Sequence, residues 1–591
     1  MEITFDQIST LSIILILIVG LYKETARPIV LFGLAASALL ILGVIDSSDM
    51  LSGFSNEQVA VIILLLIISS IIQKAKLLEL WLDKLFANAD SYGKFIRKLL
   101  PFSALVSGFL NNTPIVAAFI PYVFSWGKRN GVAPSRVLLP LSFAAILGGT
   151  MTLIGTSTNL IVNGLAQEYG FVGFNVFDFV WVGIPVVIIG IVYMSTIGFK
   201  ILPSNTDAID SLKTSTKDYL VETKVKPGSR LIDKTVEEAD LRSLNGLYLV
   251  EIVRGNRLIG PVKPTQNIRE GDALIFAGNT DSIPDLLNSD FGLTLPVLKD
   301  IPQQELINMV EAVVSYNSRL VGKKVRETDF RGRFDAAIVG VQRHGERLSG
   351  KIGEMVLQTG DLLVLMTGKD FGKRINRREF NVLSRIKQID NIDSKKAWMI
   401  TLGAVLAILL AVFEVMSLFK LLLLYVAFAL ILKWVRPGEL QRSLDLNLAF
   451  IAALSLAIGL AMEKSGSALL IANGLSTVMG GFGPVGVLIG IYLLTNLLTE
   501  FITNVAAATL ALPIALSLSN AMGLQAEPFI FTVAYAASFS FLSPIGYQTN
   551  LMVYGPGGYK FSDYLKFGFP LTLICFVLTI VILAYKYDLW L

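Results

Sequence analysis

The chain has 591 residues, 53% hydrophobic and only 16% charged, with a mean hydropathy of +0.64, which excludes a string of ordinary soluble domains and indicates a polytopic membrane protein. Its net charge of +4 comes from 50 Lys and Arg mixed among 46 Asp and Glu, so it offers no basic stripe for nucleic acid, which is not expected as a partner. One cysteine, Cys575, and one histidine, His344, make no disulfide within the chain, no zinc site and no nucleophile–base pair.

The first 22 residues carry Glu2 and Asp6 but no Lys or Arg before Lys23, the wrong charge for a signal peptide, so the first apolar run is expected to stay as a span. Further apolar runs cover residues 28–45, 57–73, 137–168, 176–199, 397–414, 418–434, 444–461, 527–553 and 566–585, each a candidate to cross the bilayer. The stretches 99–126 and 484–519 are different, because polar residues interrupt each: Asn111-Asn112-Thr113-Pro114 in one, Thr499-Glu500 with Thr503-Asn504 in the other. Each reads as a re-entrant hairpin of two half-helices. Unpaired backbone at such a tip is tolerated in a membrane only where it is buried in protein or lines a wet cavity.

With the N-terminus outside and both hairpins re-entrant, 16 Lys and Arg, from Lys23 and Arg27 to Lys560 and Lys566, fall in inside loops. Only Lys420, Lys464 and Lys586 fall outside. This bias obeys the positive-inside rule and places residues 201–395 in the cytoplasm and the C-terminus outside. That stretch holds 56 of the 96 charged residues, so a water-soluble insert separates two membrane halves. Five spans between the hairpins make the first enter from the cytoplasm and the second from outside.

The two halves repeat. Asn111-Asn112-Thr113 through Pro121 aligns with Thr503-Asn504-Val505 through Pro513 at an offset of 392. Gly155-Thr-Ser-Thr-Asn159-Leu160 aligns with Gly546-Tyr-Gln-Thr-Asn550-Leu551 at an offset of 391. Two matches at nearly one offset predict an inverted-topology repeat, the usual frame for alternating access. Carbonyls freed at the breaks, with Asn and Thr oxygens, suit sodium, a hard cation, and half-helix N-termini suit an anion. A cation site beside an anion site implies symport. The bland alternative is that these polar clusters only bond neighbouring helices. Glu500, an acid inside a membrane segment, either binds a proton or ion or makes a structural pair. Glu414 and Asp445 lie near span ends and are expected to be solvated.

At these residues the chain resembles the divalent anion/sodium symporter family, over both membrane halves. The resemblance implies one sodium site at Ser107, Asn111, Asn112 and the Gly155 carbonyl, and a second at Thr499, the Ile502 carbonyl, Asn504 and the Gly546 carbonyl. It implies an anion held by Asn111, Asn112 and Thr113 from one tip and Thr503, Asn504 and Val505 from the other, with Asn159, Asn550 and Glu500 in support. Val505 stands where dicarboxylate carriers of the family have a hydroxyl, and neither interrupted helix has the family's Pro-Pro pair. Gly546-Tyr-Gln-Thr-Asn550, followed by Gly555-Pro-Gly-Gly-Tyr559, resembles the sulfate-permease branch. Sulfate is therefore the expected substrate and a dicarboxylate the alternative, with sodium as coupling ion and no organic cofactor.

Inside the insert a second repeat runs at an offset of 89: Ser229-Arg230-Leu231 with Ser318-Arg319-Leu320, Arg254 with Arg343, and Gly271-Asp272 with Gly360-Asp361. Alternating β-branched runs with turns after Arg254 and Arg343 predict short strands and hairpins, in two α+β modules at 215–292 and 303–375. These resemble the TrkA C-terminal (RCK_C) domains of potassium-channel regulators. That resemblance implies a homodimer and a regulatory ligand, a cyclic dinucleotide or other nucleotide; the alternative is a scaffold without a ligand. Arg254, Arg257, Arg343 and Arg347 are otherwise expected to be solvated charges. Without a Walker or Rossmann phosphate loop, ATP-driven transport is not expected. Neither an enzyme site nor a channel's selectivity ring is visible, which leaves an anion sensor on the carrier fold as the reading from another class.

Overall fold

The computed structural model describes residues 4–23, 25–26, 28–74, 85–86, 89–204, 220–241, 247–255, 257–259, 262–278, 292–294, 309–315, 318–343, 346–348, 352–368, 370–375, 379–383, 394–435 and 446–590. His344, Arg27, Lys76, Lys84, Arg436, Arg442 and Asp445 lie outside them. Among the described residues six helical stretches are long and apolar enough to cross a membrane: Phe5–Tyr22, Ser47–Ile72, Lys395–Val412, Ser467–Phe501, Asn504–Ala521 and Phe561–Lys586. Shorter apolar helices, such as Pro28–Ile41 and Val180–Ser195, stand between them.

Local sequence sets the helix ends. Thr4 and Gln7 form a capping box at the start of Phe5–Tyr22, and Asp46 and Asp49 another before Ser47–Ser55, each satisfying orphan N–H groups of the first turn. Gly131, at φ 65°, ends Asn112–Asn130 in the left-handed conformation that glycine adopts without strain. Outward faces carry exposed Ile16, Ile188, Leu573 and Val581, as a surface facing hydrocarbon should.

Helices beginning at Phe5, Pro28, Glu57, Tyr92, Asn112, Ser135 and Ser157 recur in order as helices beginning at Ser394, Leu418, Leu446, Gly483, Asn504, Glu527 and Gln548, at offsets of 389 to 392. One buried core runs through both sets. Each interrupted stretch is two helices joined by a short link, Tyr92–Ser107 with Asn112–Asn130 and Gly483–Phe501 with Asn504–Ala521.

The interrupted runs 137–168 and 527–553 divide into Ser135–Gly149 with Ser157–Glu168 and Glu527–Ser538 with Gln548–Tyr554. The breaks precede Asn159 and Asn550, which sit inside the second helices. Ser467–Met479 is an additional helix; at 1.5 Å per residue its 13 residues reach about 20 Å, too short to cross alone.

Among its described residues the insert contains two five-stranded antiparallel sheets. In the first, β1 (Leu220–Val225), β2 (Leu247–Arg254), β3 (Arg257–Ile259), β4 (Ala273–Gly278) and β5 (Leu293–Thr294) lie in the order β3-β2-β4-β1-β5. In the second, β6 (Met309–Val314), β7 (Ala336–Arg343), β8 (Glu346–Arg347), β9 (Leu362–Thr367) and β10 (Phe380–Val382) lie in the order β8-β7-β9-β6-β10, strand for strand the same. The bulge at Leu249/Glu251 recurs at Ile338/Gly340, and each sheet has its own apolar core. Strands β5 and β10 carry the sheets past residues 292 and 375.

Candidate functional site

At the first tip the chain leaves Tyr92–Ser107, turns through residues 108–111 and enters Asn112–Asn130. Ser107 donates to the side-chain oxygen of Asn112 at 2.5 Å, and the Asn111 side chain caps the new helix by accepting from the Thr113 amide at 3.3 Å. The second tip repeats this: Thr499 donates to the side-chain oxygen of Asn504 at 2.9 Å, and Thr503 caps by accepting from the Ala506 amide at 3.3 Å. Ile502 is the extended link, 4% exposed.

Each interrupted helix is tied to its tip in the same way. Thr152 donates to the Gly108 carbonyl, and Ser543 to the Glu500 carbonyl at 3.0 Å. The Gly155 amide donates to Thr152 at 3.2 Å, and the Gly546 amide to Ser543 at 3.1 Å. Asn159 donates to the Thr152 carbonyl at 2.9 Å; Asn550 donates to the Ser540 carbonyl at 2.9 Å and the Ser543 carbonyl at 3.4 Å. Both glycines are required by space: a Cβ on Gly155 would stand 2.8 Å from the Ser107 carbonyl oxygen, and one on Gly546 2.6 Å from that of Thr499.

One atom breaks the symmetry. The Asn550 side-chain oxygen accepts from Ser142 at 2.8 Å, whereas that of Asn159, in a residue 0% exposed, has no partner. A buried acceptor left unsatisfied costs about 1–3 kcal/mol, a cost that a bound cation would remove. Among the described residues no cluster of three His, Cys, Asp or Glu could hold a metal ion; the donor set here is neutral oxygen, which fits sodium and not a transition metal.

The two halves also meet each other. Asn112 donates from its amide nitrogen to the Tyr547 hydroxyl at 2.5 Å, and Thr113 donates to the Gln548 side-chain oxygen at 3.1 Å. Tyr547 lies 3.3 Å from Thr156, its counterpart in the repeat, and Thr156 donates to Thr158 at 3.5 Å. Either hydroxyl can donate in the Tyr547–Thr156 bond, which completes a chain from Asn112 through Tyr547 and Thr156 to Thr158. Sequence reasoning missed Tyr547, Gln548 and Thr156. Their signal was present, since Tyr547 is the residue that replaces Thr156 at the repeat offset.

The remaining candidates are spread around this centre. Asn111 faces a cavity of about 30 Å³, lined otherwise by Ser157 and apolar side chains such as Ile62, Leu65, Ile408 and Leu422, which is room for a water or two. Val505 is 5% exposed, and its carbonyl accepts from Thr509. Glu500 is fully engaged: its carboxylate accepts from the Phe541 and Leu542 amides at 2.9 and 3.0 Å and from Ser540 at 3.2 Å. These bonds tie the second tip to the break in the second interrupted helix.

In the insert, Arg254 and Arg343 are not the solvated charges expected. Arg254 pairs through two nitrogens with Asp272 at 2.8 and 2.7 Å, and Arg343 with Asp361 at 2.8 and 2.8 Å. Asp272 and Asp361 are 1% and 0% exposed, and the bidentate bonds raise both guanidinium pKa values. Glu251, in β2, is 4% exposed with one carboxylate oxygen unpartnered; burial pushes its carboxyl pKa up.

The chain is similar to known transport proteins. A family model described as citrate transporter, CitMHS, matches residues 13–536. The chain is 32% identical over 574 residues, 93% of each chain, to a Synechocystis protein named an uncharacterized transporter. It is 32% identical over 580 residues, 94% of this chain and 97% of the other, to a Chlamydomonas reinhardtii protein named a putative sulfur deprivation response regulator. To that alga's sodium/sulfate cotransporter 1 it is 31% identical over 346 residues, 54% of this chain and 38% of the relative.

Proposed function

The chain belongs to the citrate transporter family CitMHS, and from that premise we propose that it is a sodium-coupled symporter of a divalent anion, sulfate, working by alternating access. It is a transporter and not an enzyme. The observation that carries the proposal is the duplicated tip, in which Ser107 fixes Asn112 as Thr499 fixes Asn504, each beside a glycine-bearing helix break. The orphaned Asn159 oxygen supports a first sodium site with Ser107, Asn111, Asn112 and the Gly155 carbonyl. Thr499, Asn504 and the carbonyls of Ile502 and Gly546 would make the second.

Sulfate is compact and tetrahedral, and neutral N–H and O–H donors can hold it without a counter-charge. Asn112, Thr113, Thr503 and Asn504 offer such donors, and the Tyr547 hydroxyl adds one between the halves. Val505 offers no hydroxyl for a carboxylate, which argues for sulfate over a dicarboxylate. The relative named a sodium/sulfate cotransporter supports both ions.

The tips are read as re-entrant hairpins in an inverted repeat, the first open to the cytoplasm and the second to the outside, with both termini outside and the insert inside. The insert is read as two TrkA-C-like modules that dimerise or bind a regulatory nucleotide. A sensor on the same fold is the second reading, favoured by the relative named a putative sulfur deprivation response regulator. Uptake of labelled sulfate and succinate into proteoliposomes, with and without an inward sodium gradient, separates these. Sodium-dependent sulfate accumulation supports the symporter, a preference for succinate replaces the substrate, and no uptake of either favours the sensor.

A further inference from the structure

The two insert modules are copies in strand order, bulge and buried Arg–Asp pair, yet they differ at one surface. In the second, a Cβ on Gly360 would stand 3.3 Å from the Leu551 carbonyl oxygen, and a Cβ on Gly555 would stand 2.3 Å from the Gly360 carbonyl oxygen. Leu551 belongs to the Gln548–Tyr554 helix and Gly555 ends it. Val313 and Leu362, 3% and 2% exposed, join the core of the membrane halves and not that of their own sheet. Their counterparts in the first module are the exposed Lys224 and the half-buried Ala273. A Cβ on Gly271, the counterpart of Gly360, would meet nothing within 4 Å.

We infer that the second module is docked on the Gln548–Tyr554 helix as a rigid coupling arm, linking the state of the insert to the second ion site, while the first module takes no part in this contact. The turn that makes the contact is stiff. Gly360 donates to the Val314 carbonyl at 3.0 Å, Val314 donates to the Asp361 carbonyl at 3.0 Å, and Arg343 clamps the Asp361 carboxylate. On the far side, Leu551 follows Asn550, whose amide holds the carbonyls of Ser540 and Ser543 at the helix break. Between two packed surfaces with backbone in contact there is no compliant layer, so a shift of the module moves the helix that bears Asn550 and starts just after Gly546. What that helix does rests on the transport reading; the docking itself does not.

The test uses two matched variants of the full chain, Gly360→Asn and Gly271→Asn. Both glycines lie at similar positive φ, 80° and 78°, and asparagine tolerates that conformation, so strain is equal and only the contact differs. Hydrogen exchange of residues 546–560 should rise at least ~3-fold in Gly360→Asn and stay unchanged in Gly271→Asn; equal exchange in the two variants overturns the docking. A cysteine pair, Gly360→Cys with Leu551→Cys in a Cys575→Ser background, should cross-link on oxidation, and failure to do so also overturns it. The sodium concentration for half-maximal sulfate uptake should shift by ~3-fold in Gly360→Asn alone; loosened exchange with no such shift overturns the coupling. Were the unaltered protein to show no sodium-dependent uptake, the transport reading would fall, and exchange and cross-linking would still decide the docking.

Discussion

The side-chain amide of Asn112 reaches the hydroxyl of Tyr547 at 2.5 Å across 435 positions of sequence. This bond joins a hairpin tip of one half to the helix break of the other, so the centre of the molecule is built from both copies of the repeat at once. Its oxygen fixed by Ser107 and its nitrogen by Tyr547, Asn112 has a single orientation in which one face can meet a cation and the other an anion.

Asn112→Ala and Asn504→Ala should each abolish sodium-driven sulfate uptake while leaving the protein folded and inserted. Each removes an amide that the proposed site assigns to both ions, and neither opens more than a small void. Uptake by purified, monodisperse variants checks this; normal uptake by both would show that the tips are not the site.

Tyr547→Phe should keep the fold, because the ring stays and only the hydroxyl is lost. It removes one acceptor for Asn112 and one donor for the anion. A neutral hydrogen bond is worth about 0.5–1.5 kcal/mol, so sulfate affinity should fall roughly two- to tenfold. Competition of unlabelled sulfate against labelled sulfate measures it, and an unchanged affinity would remove Tyr547 from the site.

Topology can be mapped with single cysteines in a Cys575→Ser background. A cysteine at Asn130 should be shielded from impermeant reagents added outside, and one at Gly523, at a positive-φ turn, should be labelled. Reversed labelling would invert the orientation derived from the Lys and Arg bias.

The insert should be less stable at high pH because of Glu251. Its folded pKa is raised above the ordinary 4.5 by burial, so the folded state binds the proton more tightly than the unfolded state. That contribution is present below 4.5 and lost as pH rises through the folded value. Glu251→Gln should therefore protect the insert from proteolysis at neutral pH and give no advantage in acid; equal digestion of the two proteins at neutral pH would contradict the assignment.

Much of this was legible in the sequence. Polar residues inside apolar runs marked both tips, since membrane segments rarely spend Asn and Thr without need, and constant offsets paired them. Tyr547 and Gln548 escaped because their partners lie in the other half and a tyrosine in an apolar run reads as core. The short Ser467–Met479 helix escaped because its 13 residues fall below spanning length. The Arg254–Asp272 and Arg343–Asp361 pairs were encoded in the same offset of 89 that revealed the modules, but a turn arginine gives no sign from composition that its carboxylate is buried. Glu500 showed its burial and not its partners, which lie about 40 residues later.

Coupling between the two ions is the central claim, and labelled sodium tests it most directly. In proteoliposomes with equal sodium on both sides and an inward sulfate gradient, sodium should accumulate inside above its starting concentration, and Asn504→Ala should prevent it. Sodium that distributes equally whether or not a sulfate gradient is imposed would contradict symport.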